Sequence, residues 1–239
     1  MIDNKVFRDI SYGLYIISTK YNNRNVGCVI NTLSQITSEN PVVSFSVNKN
    51  NFTNEAIKET KKFAVSIISE KIKEEVIYKF GYNSSRDTDK FESCLYEEKE
   101  GVPIVTDGVC SYLICELIQI VDCGTHDIFI AKVLETKKLN SEKEMTYRYY
   151  HEVIKAVAPK NAPTYIEDKQ IDSNDAIKEN EQADSESITK EDNTFEKYKC
   201  IICGYIYDEA VEKVKFKDLP DGWKCPRCGV GKEKFIKIM

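Results

Sequence analysis

Nine cysteines are spread unevenly along the 239 residues, and the last four form two CxxC pairs, Cys200/Cys203 and Cys225/Cys228. Each pair is followed at once by a glycine, Gly204 and Gly229, a residue that tolerates the positive φ of a tight turn. Such turns bring two thiolates together and aim backbone N–H groups at the sulfurs, which stabilises a charged metal–thiolate unit. Four soft sulfurs in a tetrahedral cage select iron or zinc. By spacing alone a structural zinc ribbon is the commoner use of such pairs. The segment that carries them is too short for a self-sufficient core, so the metal must contribute to its folding. Cys28, Cys94, Cys110, Cys115 and Cys123 are scattered singly and read as small buried hydrophobes, Cys115 in a strand interior.

The elements that must position these groups fall into three segments. Residues 1–166 read as globular, with β-like runs at 14–19, 27–31, 42–47, 63–68, 112–120 and 128–134, rich in Val, Ile and Tyr and bounded by Asn, Gly and Ser. Helical signals lie between them: Asn51, Phe52 and Thr53 lead into 55–62, and Ser69 is a candidate N-cap for 71–80. Many strands with few helices predict a mainly β fold, a barrel with peripheral helices. Residues 167–193 have no aromatic residue and carry ten acidic side chains against three lysines, so they read as an acidic flexible linker. A flexible coil of that length spans ~30 Å, enough for a tether. In residues 194–239 aromatics, cysteines and glycines return in a compact module.

The formal net charge of -5 argues against nucleic acid as the main partner. No run approaches the roughly 18 apolar residues of a membrane span. The first residues lack the basic-then-apolar pattern of a secretory signal, so the expected location is cytoplasmic.

A second chemistry resides in the N-terminal segment. Within residues 25–57 a strand, a polar turn, a second strand and a helix start follow one another. Asn31, Thr32 and Gln35 could supply polar contacts to the ring and ribityl chain of a flavin mononucleotide. Asn48, Lys49 and Thr53, beside a helix N-terminus, could cradle its phosphate. The same residues read equally well as a polar hairpin and a solvated loop. Two further stretches stand out, FGYNSSRDTDKF at 80–91 and VDCGTHDIFIAKV at 121–133, the latter with His126 at a turn between strands. A lone histidine is more often structural than catalytic.

The C-terminal module resembles rubredoxin: KYKCIICGYIYD (197–208), then LPDGWKCPRCGVGKEKF (219–235). Tyr198, Tyr205, Tyr207, Phe216, Trp223 and Phe235 would form an aromatic core around the metal. The resemblance implies that Cys200, Cys203, Cys225 and Cys228 hold a single iron. Two departures matter: the loop after Asp208 is short, and the module carries ten basic against seven acidic side chains where typical rubredoxins are acidic. Residues 5–166 resemble the flavin reductase-like family in the order of five motifs: GCxxNTxxQxT, NKxNxT, FGxxS…DKF, GTH, and a closing stretch at 145–165. That resemblance implies an FMN-binding split β-barrel and a homodimer with flavin near the subunit interface. It also implies flavin contacts from Asn31, Thr32, Ser34, Gln35, Ser46, Asn48, Lys49, Thr53 and His126, with NAD(P)H stacking near His126 as the catalytic turn.

Joining the two has a physical logic. Nicotinamide gives up a hydride, an iron–thiolate centre accepts one electron, and flavin converts between them. The resemblances together imply NAD(P)H:rubredoxin oxidoreductase activity, with a flavodiiron oxygen or nitric oxide reductase as the redox partner protein. Three alternatives stay open on the sequence: a diffusible flavin reductase, a pure electron carrier reduced by a separate reductase, and a zinc-stabilised docking ribbon.

Overall fold

The structure, a computed structural model, describes residues 4–92, 94–154, 196–200, 205–212, 214–226 and 230–238. The expected linker, 167–193, lies outside the described residues, as do Cys203 and Cys228.

Strands β1 (Tyr15–Tyr21) and β2 (Arg24–Ile30) form a hairpin in which Tyr21 pairs with Arg24. Asn22 and Asn23 turn the corner at φ 50° and 59°, left-handed values that a tight hairpin demands and asparagine tolerates. The sheet continues through β3 (Ser34–Gln35), β4 (Val42–Asn48), β5 (Lys62–Ile68), β8 (Val109–Cys123) and β9 (His126–Lys138). Its seven strands run in the order β2-β1-β5-β8-β9-β4-β3, every pair antiparallel. The two edges, β2 and β3, are consecutive in the chain, joined by residues 31–33. They do not pair, so the barrel is split, and the open seam falls at the turn that the sequence marks as a flavin contact.

Alternation explains the interior. Val43, Phe45 and Val47 of β4 are buried, while Ser44, Ser46 and Asn48 are half-exposed on the other face. Phe45 stacks on Phe129 at 5.3 Å between centroids and meets Phe63 edge-on at 5.2 Å. Ile17, Val65, Cys115 and Ala131 complete this core.

Helix α1 (Phe52–Thr60) buries Ala56 and Ile57 against the sheet. Asn51 caps it, its side chain accepting from Thr53 N at 3.0 Å. Lys61, at φ 60°, stops it short of the expected 62, because Lys62 already opens β5. Helix α2 (Glu74–Tyr82) starts later than expected from 71. Ser69 is not its cap. The Ser69 hydroxyl is drawn instead to Gly108 O at 3.0 Å and Glu142 Oε2 at 2.7 Å, and it accepts from Lys71 N. A hairpin of β6 (Tyr96–Lys99) and β7 (Val102–Val105), and a short helix α3 (Tyr147–Glu152), give no clear periodic signal in the sequence.

Of the single cysteines, Cys28, Cys110 and Cys115 are buried as expected, Cys94 is half-buried, and Cys123 departs from the expectation by lying exposed at the tip of the β8–β9 hairpin. Burial pushes the Cys115 thiol up to about 12, so it is inert at neutral pH.

The C-terminal module has a three-stranded antiparallel sheet, β10 (Lys197–Cys200), β11 (Ile206–Asp208) and β12 (Phe235–Ile238), in the order β11-β10-β12. The one-turn helix α4 (Glu209–Glu212) follows β11. Among the described residues no helix is long and apolar enough to cross a membrane.

Candidate functional site

The two described cysteines of the C-terminal module occupy equivalent places. Cys200 closes β10, and its N–H donates to Tyr205 O at 2.8 Å; Cys225 N donates to Val230 O at 2.7 Å. Each CxxCG segment is thus bracketed by one amide–carbonyl bond across the same sequence separation. Cys200 is 0% and Cys225 2% exposed. Phe216 is the hub of the aromatic shell: its centroid lies 4.2 Å from Tyr198, 5.3 Å from Tyr207, 5.6 Å from Trp223 and 5.0 Å from Phe235. Two thiols buried in an apolar, ring-lined module suit a soft metal such as iron and shield it from water.

In the N-terminal domain the predicted flavin residues fall into two clusters and two outliers. At the seam, Thr32 Oγ1 lies 3.0 Å from Ser46 Oγ and accepts from Ser46 N at 2.9 Å, stitching the β2–β3 connection to β4. Asn31 is buried beside them. Ser34 and Gln35 are exposed, and the Gln35 amide donates to Thr37 O.

The second cluster gathers the start of α1 and the β8–β9 turn. Asn48 and His126 are direct partners across β4 and β9, and Lys49 N donates to Thr125 O at 3.0 Å. One buried polar atom here has no hydrogen-bond partner, His126 Nε2, whereas the Thr53 side chain, fully buried, turns toward the Cys28 thiol. An unsatisfied buried polar atom is costly, so His126 Nε2 fits a bound polar group. The His126 ring is held from its other side, with Nδ1 2.9 Å from Thr125 Oγ1.

Lys49 sits in a charged pair beside the start of α1. Its Nζ lies 2.6 Å from Asp122 and 3.8 Å from Asp127, and the hydrogen bond to Asp122 holds its pKa above the ordinary lysine value. Sequence reasoning had no way to see this, because the two aspartates lie more than seventy positions away.

The structure also brings in residues that sequence reading left unassigned within 80–91. The Arg86 guanidinium sits 4.6 Å over the Phe52 ring and pairs with Glu55 at 3.1 Å, a cation on the first turn of α1. Ser85 Oγ bonds both the N–H and the carbonyl of Gly27 on β2. Lys90, 1% exposed, donates to Gly27 O at 2.8 Å and Phe80 O at 3.1 Å. The signal for these was a polar run, Asn83–Lys90, bracketed by the aromatic residues Phe80, Tyr82 and Phe91.

A split barrel with an orphaned His126 Nε2 at its β8–β9 turn, followed by a cysteine module with an aromatic cluster, suits a protein with two redox centres. The chain belongs to the flavin reductase like domain family, which matches residues 7–158, and carries a rubredoxin domain matching residues 197–235. It is 37% identical over 246 residues to the high molecular weight rubredoxin of Moorella thermoacetica, covering 99% of this chain and 100% of that one. The ferric-chelate reductase (NAD(P)H) of Archaeoglobus fulgidus is 34% identical over 169 residues, 70% of this chain and 100% of its own. Among solved structures, flavin reductase HpaC complexed with NADP+ superposes with a TM-score of 0.53 at 24% identity, over 60% of this chain and 89% of that one, a likeness of fold. This is therefore an oxidoreductase-family flavoprotein domain fused to an iron-type electron-transport domain.

Proposed function

We propose that this chain oxidises NAD(P)H through bound FMN and passes the electrons singly to one iron held by Cys200, Cys203, Cys225 and Cys228. A redox partner such as a flavodiiron oxygen or nitric oxide reductase then draws them off. The observation that carries this reading is the presence of a flavin reductase like domain and a rubredoxin domain in one chain. Flavin supplies the conversion between hydride and single electrons that neither nicotinamide nor iron–thiolate achieves alone.

The chain's own residues divide the remaining work. Asn31, Thr32, Ser34, Gln35 and Ser46 line the seam and orient the ring and ribityl chain. Asn48 and Thr53 bind phosphate at the α1 N-terminus, where aligned N–H groups favour an anion and Arg86 adds positive charge. Lys49 reaches the same phosphate, exchanging its exposed pair with Asp122 for the stronger charge of the ligand. His126 presents Nε2 to the nicotinamide side.

The domain pairs as a homodimer. Support comes from β8 and β9, which leave Ile118, Val121 and Leu134 at 60%, 38% and 45% exposure. The protein works in the cytoplasm, where reduced thiolates remain metal ligands.

Anaerobic stopped-flow mixing with NADH tests the relay. Flavin absorbance is expected to bleach first, followed by stoichiometric loss of the iron–thiolate band. Flavin bleaching that leaves the iron band intact would exclude internal transfer.

A further inference from the structure

We propose that Asp127 is a positioning residue: it locks the β8–β9 turn onto α1 and so fixes His126 before NAD(P)H arrives. The inference rests on the assignment of His126 to the nicotinamide side. Among residues 121–127, Asp127 alone is buried, at 3% exposure; residues 121–125 are exposed and His126 is half-buried. A two-residue turn of Gly124, at φ 74°, and Thr125 has no apolar anchor of its own.

Asp127 supplies the anchor. Its Oδ2 accepts from Lys58 Nζ at 2.6 Å and from Asn54 Nδ2 at 3.0 Å, both on α1. Asn54 Nδ2 also donates to Val47 O at 3.0 Å, tying the same point to β4. On the other side Lys49 Nζ lies 3.8 Å from Oδ1 and 2.6 Å from Asp122, bridging the two flanks of the turn. Burial alone would raise the Asp127 carboxyl, but the bonds from Lys58 and Asn54 and the lysine charges together hold it below the usual range. The anchor is therefore ionised at neutral pH. An ion pair with one buried and one half-exposed partner adds little stability over an apolar side chain of similar size, but it fixes direction. Here that direction sets the ring one residue earlier, on the opposite face of the strand.

The test is a double-mutant cycle on the full chain, read as kcat/KM for NADH with flavin content measured in each variant. Asp127→Asn is expected to keep its flavin and lose about tenfold in kcat/KM, mainly through KM, as expected when residues that act as a unit are uncoupled. His126→Asn is expected to lower kcat/KM, and the double variant to be no worse than His126→Asn alone. Losses that multiply, or an unchanged Asp127→Asn against a weakened His126→Asn, overturn the positioning role while leaving the nicotinamide assignment standing. An unchanged His126→Asn removes that assignment and this inference with it. Should Asp127→Asn fail to fold, Lys58→Met removes the same bond from the half-exposed side. It is expected to show a smaller loss with the same dependence on His126, and an unchanged rate counts against the proposal.

Discussion

Lys90 carries a consequence specific to one side chain. It is buried with two backbone carbonyls as hydrogen-bond acceptors, and no carboxylate lies within ion-pair distance among the described residues. Burial pulls its pKa down to about 8, with the Cys28 thiol opposing weakly. The unfolded chain keeps the ordinary lysine value near 10.4. Below pH 8 both states are protonated and the fold bears the full cost of the buried charge. Between pH 8 and about 10.4 the folded state loses the proton first, so stability rises with pH, by about 3 kcal/mol across that window. Denaturant titrations of the full chain at pH 7, 8, 9 and 10, followed by far-ultraviolet circular dichroism, should show this rise. Its disappearance in Lys90→Met identifies the source.

At the scale of elements, alternation and turn chemistry made the strands of the main sheet legible. The runs at 14–19, 27–31, 42–47 and 63–68 become β1, β2, β4 and β5: β4 alternates between buried and half-exposed positions, whereas β1, β2 and β5 bury three or four consecutive residues and are marked by their β-branched content and flanking turn residues. The β6–β7 hairpin escaped, since β6 is charged and mostly exposed while β7 is only four residues long and is interrupted by Pro103. Ser69 misled for a different reason: partners from residues 108 and 142 outcompete the local cap. One contact between elements is sharp enough to test. A Cβ on Gly27 would stand 2.8 Å from Ile17 O and 3.0 Å from the Phe80 ring, where β1, β2 and α2 converge. Gly27→Ala should therefore cost about 2 kcal/mol, the typical range for overpacking a tight site. A lowered denaturation midpoint with an unchanged slope would report it.

For the whole molecule, two modules with different sources of stability are expected to melt independently. The barrel has a sizeable apolar core, whereas the C-terminal module has a small cluster of rings centred on Phe216, and among its described buried residues only Cys200, Cys225 and Val230 join the core of the first domain. Stripping the metal by acid or chelation should unfold the latter and leave the former folded. The single tryptophan, Trp223, lies in that cluster and reports on it selectively. Its emission should shift to the red on metal removal while the β-sheet signal persists. Loss of both signals together would show that the modules fold as one unit.

By itself the amino-acid sequence determined the two cysteine pairs, the placement of most strands of the main sheet and the polar turn at residues 31–35, because these depend on local spacing and composition; which strands pair, and in what register, came only from the tertiary structure. Only the tertiary structure decided which charges meet. It paired Lys49 with Asp122, tied Asp127 to Lys58 and buried Lys90 behind Gly27. Such pairings join residues dozens of positions apart, and Coulomb energy depends on distance through space rather than along the chain.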